Sequence, residues 1–363
     1  SRPVSQPVSR PISQPISRRS TVIVCVAIFL LFSVSYIASL KHVYDRRFER
    51  LEAPESSGYL RYKDVPTYRR RIVHFESGKN TLAGYLFGEK NDKGLVVISH
   101  GLGSSAEDYL AEALYFVDKG WRVFAFDNTG TSASEGESGI GLPQSALDLD
   151  AALTYIKGDP ALSGLSLMLF GHSWGAYAST AVLKYDHDVA AVVSISGFNS
   201  PMEMLNEEME CMVGPLAYAV YPYAWAYQTM LFGNVAKLTA VDGINASDAA
   251  VMIVHGDADE SIYYDGASII SQRAKITNPN VVYKTCSVEN RNGHSSLLKS
   301  EAAVEYAGRA NVEYRKLYDQ YDGQVPDNVR SVFHACLDKS LTSELDPVLF
   351  DEINAFFESH AGR

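Results

Sequence analysis

The residues best placed to do chemistry are Ser173, inside Gly171-His172-Ser173-Trp174-Gly175, and His294, inside Asn292-Gly293-His294-Ser295. A serine hydroxyl is a weak nucleophile until a base takes its proton, and an imidazole serves as that base when an acid orients it. Acids lie between the two in the chain, in His255-Gly256-Asp257-Ala258-Asp259-Glu260. The order serine, acid, histidine is the one that accompanies a G-x-S-x-G turn. Residue type alone leaves Asp257 and Asp259 both open as the acid. The chemistry would be acyl transfer, whose transition state carries an oxyanion that needs preorganised donors. One donor is expected from the backbone N–H of Trp174, directly after the serine. The other is expected from Leu102, in the glycine-containing turn His100-Gly101-Leu102-Gly103-Ser104. The chain has nine histidines, so one alone carries little weight, and His187, His334 and His360 have no comparable setting.

Such groups must be held by elements that meet at one place. From residue 71 the chain supplies them. Arg71–Phe75 and Thr81–Phe87 flank a turn composition at Ser77–Asn80 and read as an antiparallel hairpin. Continuous apolar runs follow at Leu95–Ser99, Trp121–Phe126, Leu165–Phe170, Val189–Ile195, Ala250–Val254 and Val281–Thr285. Runs of that length read as strands buried on both faces. Between them lie helical spacings, such as Tyr109, Ala113, Leu114 and Val117, or Ala146, Leu149, Leu153 and Ile156. Strands alternating with helices give a mostly parallel sheet covered on both faces, with ligands at the carboxyl ends of the strands. Each candidate turn comes after an apolar run, at the carboxyl end of an expected strand.

Composition bounds the rest. Hydrophobic residues are 46% and charged residues 21% of 363, enough for a large core. The net charge of −11 argues against a nucleic-acid partner. Four cysteines without a CxxC pair make neither a disulfide framework nor a zinc site. Residues 1–20 repeat Ser-Arg/Gln-Pro units, carry no acid or aromatic, and read as a disordered tail. Residues 21–40 hold no charge and are long enough to cross a bilayer. They read as a single uncleaved anchor. A signal peptide cut near Ser33-x-Ser35 is the alternative, although the apolar run is long for one. Arg2, Arg10, Arg18 and Arg19 before it are matched by Lys41, Arg46, Arg47 and Arg50 after it, so orientation is weakly encoded. The expectation is a domain outside the cytoplasm. Residues 41–70 read as a stalk and 71–363 as the globular domain.

The His100-Gly101 turn, the Gly171–Gly175 elbow, the His255–Asp259 turn and the Asn292–His294 turn together resemble an α/β-hydrolase-fold serine hydrolase over roughly residues 70–360. Within that fold the chain is similar to bacterial serine aminopeptidase-like and lysophospholipase-like esterases. Asp127-Asn128-Thr129-Gly130 resembles the D-x-x-G turn of the same proteins. The resemblance implies a mostly parallel central sheet with helices on both faces and an inserted helical cap. It also implies Asp259, the second aspartate of the HG-x-x-D pattern, as the acid. No metal or organic cofactor is implied.

The cap is expected at 198–248, too long for a plain connection between strands. It holds Met202, Met204, Met209 and Met212, then Tyr218, Tyr221, Tyr223, Trp225, Tyr227, Met230 and Phe232. Such residues suit either a lid lining an acyl pocket or helices packing on the body. Glu203 and Glu207 would share a helix face. They read as a solvated face, with amine binding, as in aminopeptidase-like relatives, the alternative. Pro347–Phe357 reads as a closing helix, whereas Tyr306–Asp322 carries no assignable role. The function expected is hydrolysis of a carboxylic ester or related acyl bond, with a small-molecule or lipid-like acyl substrate. Rivals are a peptidase releasing N-terminal residues, acyl transfer to an acceptor other than water, and an inactive binding protein on the same fold. Oligomeric state is not encoded legibly.

Overall fold

The computed structural model describes residues 18–362. Of the repeat segment expected as a tail, residues 1–17 lie outside the described residues, and 18–20 are already helical. Helix α1 runs from Arg18 to Arg47, 30 residues. At 1.5 Å per residue that is about 45 Å, longer than the roughly 30 Å hydrocarbon core of a bilayer. The uncharged stretch sits within it, and side chains such as Ile23, Leu31 and Val34 are exposed. The helix is longer than the expected 21–40 because its charged flanks are good helix formers too. By length and composition α1 is a candidate membrane span; a signal sequence meets the same physical criteria.

The body is a second unit beginning at Arg47. Residues 48–69 are not a free stalk. The Leu51 N–H donates to the Gly130 carbonyl (2.9 Å) and its carbonyl accepts from the Ser132 N–H (2.7 Å). The Arg50 guanidinium donates to the carbonyls of Ser132, Ser134 and Gly136 at 2.7–3.0 Å. Backbone that would otherwise be unpaired is thereby satisfied on the body surface.

Strands β1 (Arg70–Ser77) and β2 (Asn80–Phe87) form the expected hairpin, with Ser77 opposite Asn80. Then come β3 (Leu95–Ser99), helix α2 (Leu110–Asp118), β4 (Arg122–Phe126), α3 (Gln144–Gly158), β5 (Leu167–His172), α4 (Trp174–Ala181) and β6 (Val189–Ile195). Helices α5 (Pro201–Val213), α6 (Ala217–Phe232) and α7 (Ala240–Asn245) precede β7 (Ala250–Gly256) and β8 (Val281–Cys286). Helices α8 (Glu301–Gln320), α9 (Asp327–Ala335), α10 (Lys339–Thr342) and α11 (Pro347–Glu358) close the chain. The eight strands lie in the order β1-β2-β4-β3-β5-β6-β7-β8. From β4 across to β8 every pair is parallel, while β1 and β2 are antiparallel to their neighbours.

Why these runs become central strands is visible in their burial. All five residues of β3 are buried, which suits a run without alternation. Each of Val96, Val97 and Ile98 contributes about 1.5–3 kcal/mol by leaving water. On one face, Phe116 of α2 meets Phe170 of β5 and Phe357 of α11, each with ring centroids 5.7 Å apart. Helix α11 starts cleanly because the Asp346 side chain accepts from the Leu349 N–H (2.8 Å) and Pro347 fills the first turn. The unassigned stretch 306–322 is mostly the solvent side of α8, where only Ala303 is buried and Arg309–Glu305 and Arg315–Asp319 pair one turn apart.

The insertion expected at 198–248 divides in two. α5 and α6 form the helical pair between β6 and β7. α7 instead returns to the body, where Ala240 and Ile244 are fully buried and Gly243 packs against the α4 backbone at Thr180.

Candidate active site

The elbow forms because the chain has no room for side chains on either side of Ser173. A Cβ on Gly175 would collide with the Ser99 carbonyl oxygen of β3, and one on Gly171 with the Gly175 carbonyl. Between these glycines Ser173 takes φ 58° and ψ −116°, a left-handed conformation costly for a residue with a Cβ. The strain lifts the hydroxyl clear of the end of β5.

Three groups converge there. Ser173 Oγ lies 2.9 Å from His294 Nε2. On the ring's other side, Nδ1 lies 2.9 and 3.0 Å from the two carboxylate oxygens of Asp259. The acceptor-only carboxylate assigns the proton to Nδ1, leaving Nε2 free to accept from the serine O–H. Asp257, the other open candidate, points away and accepts from Asn292 Nδ2 at 2.6 Å.

Asp259 is buried, and its oxygens are filled. Oδ1 accepts from the backbone N–H of Ser261 and Ile262, both at 2.9 Å. Oδ2 lies 3.2 Å from His255 Nε2. Burial alone would raise the pKa of this carboxyl. Hydrogen bonds from His255, His294 and Ile262 outweigh burial and hold it well below the usual carboxylate range. The carboxyl is therefore an anion whenever His294 is in place. His255 is itself buried, with Nε2 also 3.0 Å from the Ile262 carbonyl, so it braces the acid turn.

The turn after β3 comes close to the serine. A Cβ on Gly101 would lie 3.4 Å from Ser173 Cβ. The Ser104 N–H donates to the Gly101 carbonyl (3.2 Å), closing a turn that holds the Leu102 N–H. The Trp174 N–H opens α4, where helix geometry supplies no acceptor. Both expected donors thus belong to segments that flank Ser173.

Four residues that sequence reasoning left without a role complete the site. The Gly101 N–H donates to the Tyr109 hydroxyl (3.1 Å), which lies 2.6 Å from His172 Nδ1. His172 Nε2 lies 2.9 Å from the His294 carbonyl. His172 is therefore neutral, accepting at Nδ1 from Tyr109 and donating from Nε2. Burial first, then the nearby His294, push its pKa down to about 3. Glu260 accepts the His294 backbone N–H at 3.0 Å, and His255 has been described. The signal that could have found His172 and His255 is their place at the carboxyl ends of β5 and β7.

The Asp127–Gly130 turn is scaffolding. Asp127 accepts from the Tyr85 hydroxyl (2.7 Å) and the Ala106 N–H (2.8 Å). His100 accepts the Asn128 N–H at 3.0 Å. The acids of α5 are not simply solvated. Glu207 accepts from the Ala267 N–H (2.7 Å) and Glu203 from Asn199 Nδ2 (2.7 Å), which pins the helix to the body. Among the described residues no cluster of three or more His, Cys, Asp or Glu is arranged to hold a metal ion.

Comparison with known proteins places this arrangement. Residues 90–242 match the family model described as serine aminopeptidase, S33. That span includes Ser173 and ends before Asp259 and His294. A polyketide transferase from Penicillium sp is 28% identical over 119 residues, which is 32% of this chain and 40% of that protein. A polyketide transferase from Aspergillus fumigatus is 27% identical over 118 residues, again 32% and 40%. The chain thus spans 40% of the length of these curated relatives. An esterase of Pyrococcus furiosus superimposes with a TM-score of 0.52 at 20% identity, over 69% of this chain and 91% of the esterase. The architecture they share is that of the α/β hydrolases.

Proposed function

The chain belongs to the α/β-hydrolase fold, and from that premise we propose that it is a serine hydrolase of carboxylic esters or related acyl groups. The observation that supports the reading best is the unbroken line Ser173 Oγ, His294 Nε2, His294 Nδ1, Asp259, with contacts of 2.9–3.0 Å, on a serine held at positive φ.

The steps follow from the donors and acceptors. Ser173 Oγ attacks the acyl carbonyl as its proton passes to His294 Nε2. The Asp259 carboxylate steadies the resulting imidazolium. The carbonyl oxygen becomes an oxyanion, received by the backbone N–H groups of Leu102 and Trp174. Collapse breaks the bond to the leaving alcohol, which takes the proton from Nε2 and departs. The acyl group remains on Oγ. Water then attacks the acyl-enzyme, giving its proton to Nε2; the bond from the acyl carbon to Oγ breaks, Oγ takes the proton back from Nε2, and the carboxylic acid departs.

Met202, Met204 and Met209 of α5 are buried and adaptable, side chains that would accommodate an acyl group if α5 covers the site. An N-terminal amine is the second reading: a 490 Å³ pocket on α5 is lined by Glu203, Glu207 and Glu210, although none of Leu102, Ser173, Trp174 or His294 lines it. Two of those carboxylates are already engaged with the body, which places the ester reading first. Relatives named as polyketide transferases make an acceptor other than water the natural variation on the second step. We also read α1 as a single membrane anchor, with the body on the side away from the cytoplasm.

The test is labelling of the full chain with a fluorophosphonate, with peptide mapping and a panel of esters and aminoacyl amides. Label on Ser173 that disappears in Ser173→Ala, with ester turnover falling by roughly four orders of magnitude or more, is the expected result. A folded, unlabelled wild type would overturn the reading and leave an inactive binding protein.

A further inference from the structure

A helix that faces water on one side carries its charges there. α8 obeys this, with Glu305, Arg309, Arg315 and Asp319 all exposed. α6 does not. Its buried residues are Ala217, Ala224, Gln228 and Phe232, a narrow stripe. The remaining faces have no charge to offer, because no residue from Cys211 to Ala236 is charged. Large apolar side chains point outward instead: Tyr218 is 69% exposed, Trp225 41% and Met230 71%. The preceding turn adds Met212 at 66% and Leu216 at 68%. Five such residues on adjoining turns form a patch of the kind that marks an interaction surface.

Three observations name the occupant. First, the same chain carries α1, long and apolar enough to cross a bilayer. Second, the patch mixes Tyr and Trp with Met and Leu, the composition that settles between headgroups and acyl chains. Third, Lys237 Nζ lies 5.5 Å from the Trp225 ring and the Tyr218 hydroxyl is bonded to Glu210, so the apolar patch is rimmed by polar groups as a headgroup boundary requires. The sign of the charge narrows it further. Glu203, Glu207, Glu208 and Glu210 lie on α5, and the chain is net −11, so anionic lipid is not attracted.

We propose that the outward face of α6, with Met212 and Leu216 before it, docks on the interface of a neutral phospholipid membrane. The inference rests on the anchor reading above. Entry is apolar, so high salt does not reverse it.

Of the three tryptophans, Trp121 and Trp174 are buried, which makes Trp225 the reporter. The full chain is reconstituted in phosphatidylcholine vesicles with and without lipid brominated on its acyl chains, and tryptophan fluorescence is read. The expected result is quenching that is absent in Trp225→Phe and persists at high salt. Combining Met212→Glu, Leu216→Glu and Met230→Glu should abolish the quenching.

A chain that survives carbonate washing of the vesicles with Trp225 unquenched overturns the docking surface and leaves the anchor standing. Quenching that is lost when carbonate removes the chain supports docking and overturns the anchor. Self-association that buries Trp225 and prevents quenching overturns docking in favour of a second copy. Because docking is read by fluorescence, failure of Ser173 to label would remove the hydrolase reading without touching it.

Discussion

The turns at the strand ends and the α5–α6 pair are built from opposite materials. At the strand ends the groups proposed to react are held by named partners. Asp259 meets four hydrogen-bonding groups, and His294 is held at both ring nitrogens, its backbone N–H and its carbonyl. Along α6 there is no charge, and much of the side-chain surface is apolar and outward. The first region is built to hold atoms within a few tenths of an ångström, which directed hydrogen bonds do. The second offers area, which is non-directional and suits a variable apolar ligand. If the proposed roles hold, the reaction and the membrane contact are carried by different parts of the chain, and substitutions should separate them.

The largest effect should come from the acid. Asp259→Asn reverses the tautomer of His294 and should lower kcat by roughly a thousand- to ten-thousand-fold in a folded protein, whereas Asp257→Asn changes kcat less than about twofold. Equal losses in both would merge the two aspartates into one role and undo the assignment.

Next is acid stability. The pKa of folded His172 is pushed down to about 3 from an ordinary 6.5. Between those values the unfolded chain binds a proton that the folded chain refuses. Stability is therefore lost as pH falls through that window, with a limiting slope of about 1.4 kcal/mol per pH unit. Buried His100 acts in the same direction. Buried Asp127 and Asp148, raised by their burial, act in the opposite one and blunt the slope. Unfolding midpoints measured from pH 7 to pH 4.5 should fall, and His172→Gln, whose amide can both donate and accept, should flatten the decline. An unchanged profile in that variant would remove His172 as the cause.

Smaller is Tyr109→Phe, which cuts the link between Gly101 and His172. One hydrogen bond of about 1 kcal/mol predicts a five- to tenfold fall in kcat with KM nearly constant. A change confined to KM would mean that the hydroxyl contacts substrate instead. The smallest belongs to the outer face of α6: Met230→Ser should leave soluble-ester kcat/KM within about twofold. A large loss there would make the outer face part of the active site and erase the contrast between the two regions.

Much of this was legible because the body repeats one local rule. Apolar runs such as Leu95–Ser99 become buried strands, and the glycine turns after them carry the reactive groups. Ser173 and His294 could be named since each sits in a glycine-containing turn after a strand, whereas Asp259 was set apart from Asp257 only by the family resemblance. What stayed hidden depends on distance in space. Tyr109 and His172 are 63 residues apart and meet only through the parallel pairing of the sheet. Residues 48–69 read as a stalk because their partners, Gly130 and Ser343 among them, are remote in the chain. α7 read as cap because a short helix with small residues does not announce which surface it joins. Whether the apolar residues of α6 line a pocket or pack on the body stayed open because composition does not say which way a side chain points.

The strand order also carries a consequence for how the protein is made. β1 to β6 are contiguous in the sheet, and all of them, with Ser173, precede residue 196 in the chain. β7 and β8 add at one edge afterwards, and they bring Asp259 and His294. A chain emerging from the ribosome can therefore assemble most of the sheet around an inert serine, since domains consolidate from the N-terminus as they are synthesised. The line from Ser173 through His294 to Asp259 is the last feature it can complete, once the loop after β8 is in place and the Glu260 carboxylate accepts the His294 backbone N–H. A fragment ending before residue 286 would keep the nucleophile without its base.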